Sequence, residues 1–568
     1  MWKNLGFILL LLCLANIATA EGAAPPEPNR FMIVAANPLA VEAGYEVLKK
    51  GGSALDAAVA VQMVLSLVEP QSSGIGGGAF LLHWDNTKKK LSAYDGRETA
   101  PAAARANRFL LPDSLQPQAF YQAVVGGLSV GVPGVVGMLG KAHENHGRTP
   151  WAELFTPARD LAQDGFVVSP RLSAQLTKDP YLKNSPTARF YFYNSDGTPK
   201  KRLVNPAYAQ TLQRLAERGA EGFYTGSLAE DIVDTVRHAQ PPGDLTLADM
   251  RGYEAKQRQP ICHLYRTNRL CSIPPPTSGG IAVLQLLGIL DHFEVGDKSH
   301  HSAEMVHLFT QAQRLVFADR DYFVADSDFV PVPIKELLDG DYLKRRAKAI
   351  DPSRDRGKAS RGNPQGNASY FREGGEEFSL PSTSHISIVD GWGSAVSMTT
   401  SVENRFGSRL MVGGFLLNNQ LTDFTFVPTL KGQPVANRVE PGKRPRSSMA
   451  PVMVFDLDGN LRIVAGSPGG SRIIGYVAQT LWNLMAWGLD PQSAVAAAHV
   501  GNRNGVTELE KGTSLESHKA KLESMGHSVI IKAMTSGLNV ITLKEGVLQG
   551  GTDPRREGRV MWGTVTPQ

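Results

Sequence analysis

Cysteine is scarce in this chain: Cys13, Cys262 and Cys271 are the whole complement in 568 residues, and a thiol nucleophile is not expected. Long apolar runs are also missing. After the stretch from Leu5 to Leu14 no segment approaches the roughly 20 apolar residues that a membrane span needs. Charge of one sign is nearly balanced, with 59 basic against 54 acidic residues and a formal charge of +5, and no basic cluster stands out, so nucleic acid is not implied. His300, His301 and His307 contain no i, i+4 pair that would set two imidazoles on one helical face, so no metal is expected. Neither an internal repeat nor a Pro/Ser linker divides the chain, and the two halves are read as sharing one fold.

What is present begins with Lys3, the apolar stretch and Ala18-Thr19-Ala20 before Glu21, the pattern of a cleaved secretory signal over residues 1–20. Its removal would lower the charge to +4, since Lys3 is the one charged residue in it. Export to the periplasm or the medium follows as an expectation. There, Cys262 and Cys271, flanking a strand-like run, are expected to form a disulfide across a hairpin. Asn367-Ala368-Ser369 matches a glycosylation triplet, a weak signal on its own.

Helix signals open at Asn37-Pro38 and Ser53, and further helices are predicted at 150–164, 206–218, 225–239, 278–292, 302–324, 473–488, 491–500 and 514–524. Strands are predicted at 31–35, 79–84, 90–95 and 257–273, then densely at 384–389, 395–402, 413–417, 451–456, 461–465, 527–532 and 537–543. Sheets drawn from both halves with helices outside give a layered α+β core.

Thr383 opens the alternating run Ser384-His385-Ile386-Ser387-Ile388-Val389, behind a stretch from Asp351 to Glu377 that is almost free of large apolar residues and reads as mobile. A chain could be cut there. Ser73-Gly74-Ile75-Gly76-Gly77-Gly78 is followed by a strand pattern, whereas phosphate cradling needs a helix start, so a tight turn with close backbone approach is expected instead. Three later stretches carry chemistry jointly. Asn418-Asn419-Gln420 with Asp423 could read an ammonium, Arg444-Pro445-Arg446-Ser447-Ser448 a carboxylate, and Gly466-Ser467-Pro468-Gly469-Gly470-Ser471-Arg472 offers N–H groups to an oxyanion.

Together with Gly96-Arg97-Glu98-Thr99-Ala100-Pro101 and Pro274-Pro275-Pro276-Thr277-Ser278-Gly279-Gly280, these motifs resemble, in order, those of the γ-glutamyltransferase (γ-glutamyl transpeptidase) family. The resemblance implies an N-terminal nucleophile hydrolase with a four-layer αββα sandwich, made as a precursor that cuts itself. The bond would be Ser382–Thr383, giving a large subunit (21–382) and a small one (383–568) that form a heterodimer. It also implies γ-glutamyl transfer and hydrolysis on glutathione and similar donors, with water, an amino acid or a dipeptide as acceptor and no cofactor. Thr383 would be the nucleophile, its freed amine the base, and Gly469 and Gly470 the oxyanion donors. Arg97, Ser447 and Ser448 would hold the donor's α-carboxylate, and Gln420 and Asp423 its α-ammonium.

Three departures from the best-known members bear on specificity. Ser401 and Glu403 stand where those members have threonine and asparagine; Ser401 keeps a hydroxyl for Thr383, and Glu403 adds a carboxylate beside the ammonium. A three-residue loop at 391–393 would set Thr383 opposite Ser401, a two-residue loop opposite Thr400. The third is length: Thr425 to Gly442 is short for a lid and contains no tyrosine. The open pocket this implies leaves an acylase for bulkier donors, such as glutaryl-cephalosporin or poly-γ-glutamate, as the nearest alternative. A catalytically idle periplasmic binding protein is the alternative of another class.

Overall fold

In the computed structural model residues 29–364 and 382–566 are described; the expected signal segment, the Asn367 triplet and residues 365–377 of the expected mobile stretch lie outside them. A seven-stranded sheet forms the centre, in the order Arg559–Thr564, Arg30–Ala35, Ser384–Val389, Ala395–Ser401, Gly78–Asp85, Lys90–Gly96, Lys256–Arg258. A six-stranded sheet lies against it, in the order Val547–Thr552, Asn539–Lys544, Leu461–Gly466, Val452–Phe455, Asn268–Ser272, Ile261–Tyr265.

The period-2 alternation of the first strand explains the layering. Phe31, Ile33 and Ala35 face the helices Pro38–Lys49 and Ala54–Val68, while Met32 and Val34 join the core between the sheets. Both helices start as their sequences dictate: Asn37 caps one ahead of Pro38, and Ser53 and Asp56 close a capping box on the other. On the far side, Gly279–Leu290, Ala303–Phe323 and Ile473–Ala486 cover the six-stranded sheet. The result is a four-layer αββα sandwich. The sheets are also tied by polar contacts, with Ser387 Oγ donating to Asn539 O at 3.0 Å and Ser397 Oγ to Ala465 O at 3.0 Å.

Several sequence expectations need correction. The strand expected over 257–273 is three strands, and the last two form a hairpin that sets Cys262 opposite Cys271, where the disulfide forms. The helix expected over 491–500 stops at Ala496, and Val500–Asn502 is a strand. The strand expected over 413–417 is a hairpin of Met411–Val412 and Phe415–Leu416 around Gly413 and Gly414, both at positive φ. Residues 351–364 contain neither helix nor strand, yet they are tied down. Asp355 accepts from Gln311 and Arg314, Ala359 N–H donates to Asn504 Oδ1, and Gly362 N–H to Asp319 Oδ1. Among the three histidines, His307 bonds His527 at 2.7 Å within the core, and no metal-ligand cluster exists among the described residues. No described helix is long and apolar enough to cross a membrane.

Candidate active site

Thr383 and Ser401 end adjacent strands of one hairpin. Asp390 N–H donates to Ser394 O, so residues 391–393 form a three-residue loop with Gly393 at φ 77°. The ladder then runs Val389 with Ala395 through Ser384 with Thr400, which carries Thr383 opposite Ser401. Their hydroxyls lie 3.0 Å apart, and Ser401 Oγ also accepts from Glu403 N–H at 2.9 Å. Thr383 has φ 149°, a value that β-branched residues rarely adopt, so the backbone is strained at the residue after the expected cut. On the other side of that bond, the Ser382 hydroxyl donates to Gln71 O.

The glycine run at 74–78 does what its strand context suggested. A Cβ on Gly77 would lie 2.1 Å from Ser401 O, and one on Gly76 2.2 Å from Leu416 O. The missing side chains let this segment press against the Ser401 strand end and the loop that leads to Asn418. Asn418 completes the joint, accepting from Gly131 N–H and donating to Gly76 O and Gly131 O.

One pocket gathers most of the predicted residues: Ser382, Thr383, Ser401, Glu403, Gln420, Asp423, Ser447, Ser448 and Gly470 line it, with Met449 and Ile473. Gly469 and Arg97 stand just behind its wall. Gly469 and Gly470 both have positive φ, 142° and 60°, in the turn leading into helix Ile473–Ala486. A Cβ on Gly469 would strike the Tyr476 ring at 2.7 Å.

Arg97 is fully buried, its Nη2 paired with the Asp423 carboxylate and bonded to Arg446 O at 3.1 Å, its Nε to Pro445 O at 3.1 Å. The expected carboxylate reader and ammonium reader therefore hold each other. Ser448 Oγ accepts from Arg320 Nη2 at 2.7 Å, and Ser447 is fixed by Ser278, whose N–H and hydroxyl both donate to Ser447 O.

Electrostatically, this end of the pocket is crowded with acids. Burial, with Asp423 nearby, raises Glu403 well above the usual carboxylate range, against the bond that Asn419 donates to it. Burial likewise pushes Glu98 up to about 8, although Arg97 opposes it. His385, two residues from Thr383, is pushed by burial down to about 3; its ring bonds Thr399 Oγ1 and Ser387 Oγ. It is a neutral structural residue. Among the described residues no histidine lines the pocket.

Sequence reasoning missed Arg320, which serves Ser278 and Ser448 together, and Arg556, which donates to Thr383 O at 2.7 Å. For Arg320 a signal existed: a cation inside a helix that is otherwise nearly all buried demands an internal partner. None of residues 425–442 lines the pocket; Asn437 braces it from behind, donating to Asp423 O and accepting from Arg446 N–H.

The sequence model of the gamma-glutamyltranspeptidase family matches residues 40–563. The glutathione hydrolase proenzyme of Bacillus subtilis is 36% identical over 542 residues, 93% of this chain and 90% of that protein. That of Escherichia coli is 35% identical, covering 94% and 91%. Among solved structures, the cephalosporin acylase of Bacillus halodurans superposes with a TM-score of 0.81 at 25% identity, covering 97% of this chain and 99% of its own. Carrying the family's sequence from its first helix to its last strand, on the αββα frame of an N-terminal nucleophile hydrolase, the chain belongs to the gamma-glutamyltranspeptidase family and is an enzyme of that type.

Proposed function

We propose that the protein is exported behind residues 1–20, cuts itself between Ser382 and Thr383, and then hydrolyses and transfers the γ-glutamyl group of glutathione and related donors. The observation that carries this reading is the Thr383–Ser401 hydroxyl pair at 3.0 Å on the wall of a pocket that also holds Gln420, Asp423, Ser447, Ser448 and Gly470. In the first step Thr383 Oγ1 attacks the Ser382 carbonyl carbon and its proton passes to the departing nitrogen. Water hydrolyses the resulting ester, leaving a Ser382 carboxylate and a free Thr383 amine. Backbone strain at Thr383 favours this step, because the cut releases it.

The amine, with a reference pKa of about 7.7 to 8.0, then takes the Thr383 hydroxyl proton. The oxygen attacks the donor's γ-carbonyl, the oxyanion meets the N–H groups of Gly469 and Gly470, and the departing amine receives the proton. Water or an acceptor amine releases the γ-glutamyl ester. Ser401 orients the nucleophile. The donor's α-amino acid end inserts its carboxylate toward Arg97, Ser447 and Ser448 and its ammonium toward Gln420, Asp423 and Glu403, exchanging the Arg97–Asp423 pair for two ion pairs with substrate.

The alternative reading, an acylase for bulkier donors, is favoured by the likeness to the cephalosporin acylase and by the absence of residues 425–442 from the pocket wall. Steady-state kinetics with glutathione and with glutaryl-cephalosporin separates the two. Higher kcat/KM for glutathione is expected; a clear preference for the glutaryl donor overturns the γ-glutamyl assignment. Thr383→Ala is expected to abolish turnover of both.

A further inference from the structure

Arg556 touches the nucleophile residue through its main chain and is not among the residues that line the pocket. Its Nη1 donates to the Thr383 carbonyl oxygen and its Nε to Ser536 O, each at 2.7 Å. Room is made for it: a Cβ on Gly537 would lie 2.6 Å from Arg556 Cδ. Among the described residues the buried Nη2 has no hydrogen-bond partner, so the guanidinium is held by carbonyls rather than matched by a carboxylate. Burial and the neighbouring Arg171 pull it down to about 9, with Glu69, Asp553 and Tyr476 opposing. Arg171 itself lies 3.5 Å from Glu69, and its N–H donates to Glu557. A half-buried cation so poorly compensated is costly to keep, and among the described residues the carbonyl of Thr383 is its contact with the active site.

We infer that Arg556 is a positioning residue for Thr383: its bond to the carbonyl oxygen fixes the backbone so that the amine freed by cleavage stays over the side-chain hydroxyl, and its charge favours that amine's uncharged form. This rests on the reading of Thr383 as a self-released N-terminal nucleophile. After the cut, the Ser382 side no longer holds Thr383, and what retains it is the Ser401 hydroxyl, the ladder that begins at Ser384, and Arg556. A cation one carbonyl away disfavours a second positive charge at the amine. The groups facing the amine across the pocket, Glu403 and Asp423, would act oppositely; burial and Asp423 favour the uncharged form of Glu403, Asp423 is paired with Arg97, and His385 is pushed by burial toward its neutral form.

The test uses full-length chains carrying Arg556→Met or Arg556→Lys, with the pH profile of kcat/KM for a γ-glutamyl anilide as readout. Arg556→Met is expected to move the acid limb up by about one pH unit, while Arg556→Lys keeps it within a few tenths of wild type. A lower rate with the limb unmoved in Arg556→Met means ordinary structural support and overturns the proposal. Should Arg556→Met stay uncut, Arg556→Ala replaces it: added guanidinium is expected to restore cutting, and failure of that rescue overturns the proposal too. Thr383→Ala keeps the two ideas apart. If it is cut or active, the underlying reading fails; if it is intact and idle while Arg556→Met has a wild-type limb, only the role of Arg556 fails.

Discussion

Glu403 and Asp423 place two carboxylates at the end of the pocket proposed to receive the donor's ammonium, and burial, with Asp423 nearby, raises Glu403 well above the usual carboxylate range, favouring its protonated form. An incoming cation reverses that preference, because opposite charge favours the ionised acid. Donor binding near neutral pH should therefore release a proton, and affinity should rise with pH up to the raised Glu403 pKa, where the carboxylate is already free. Calorimetry of Thr383→Ala with glutathione in two buffers of different ionisation enthalpy measures this directly. A net proton release is expected, and it should vanish in Glu403→Gln, whose KM in the active chain should be roughly tenfold higher, the worth of one partly compensated ion pair. Buffer-independent heats would show that Glu403 does not meet the cation.

The hairpin that carries Thr383 and Ser401 is placed by its turn at one end and by the glycine run at the other. Gly77→Ala would drive a methyl group into Ser401 O, and since a Cβ has no rotamer to escape by and the atom it meets is backbone, the strand end has to move. A loss of about 2 to 3 kcal/mol is expected, read as a lower thermal midpoint, together with slower cutting because Ser401 shifts from Thr383. An unchanged midpoint would mean that the segment adapts freely.

Elements of this kind were legible where chemistry and pattern coincide. Ser53, Asn37 with Pro38 and the alternation at 384–389 announced their helices and strand. Val135–His146 was not legible, because Gly134 gives it no side-chain cap. Nor was Arg559–Thr564, a sheet-edge strand whose residues are all at least partly exposed, so no buried face imposes an alternating pattern. At the site, hydroxyl, amide and carboxylate residues could be read from their motifs. Arg556 could not: its partner is a main-chain carbonyl 173 positions away, which leaves no mark in the local sequence.

For the whole molecule, the proposed cut would divide the chain but not the sheets. Arg30–Ala35, from the first half, pairs with Arg559–Thr564 on one side and Ser384–Val389 on the other, and Gly78–Asp85 pairs with Ala395–Ser401. In the second sheet Asn268–Ser272 pairs with Val452–Phe455. Each fragment alone would expose open strand edges and bare core faces. The cut protein should therefore elute as one species in native size exclusion and separate only in denaturant.

The central claim is that Thr383 is a nucleophile released by the chain itself, and the mass and N-terminal sequence of the smaller fragment, run on a denaturing gel beside Thr383→Ala, test it most directly. The account predicts a wild-type fragment that begins at Thr383 and ends at Gln568, and a variant that remains one chain. A wild-type chain that stays whole, or a fragment that begins at any other residue, contradicts it.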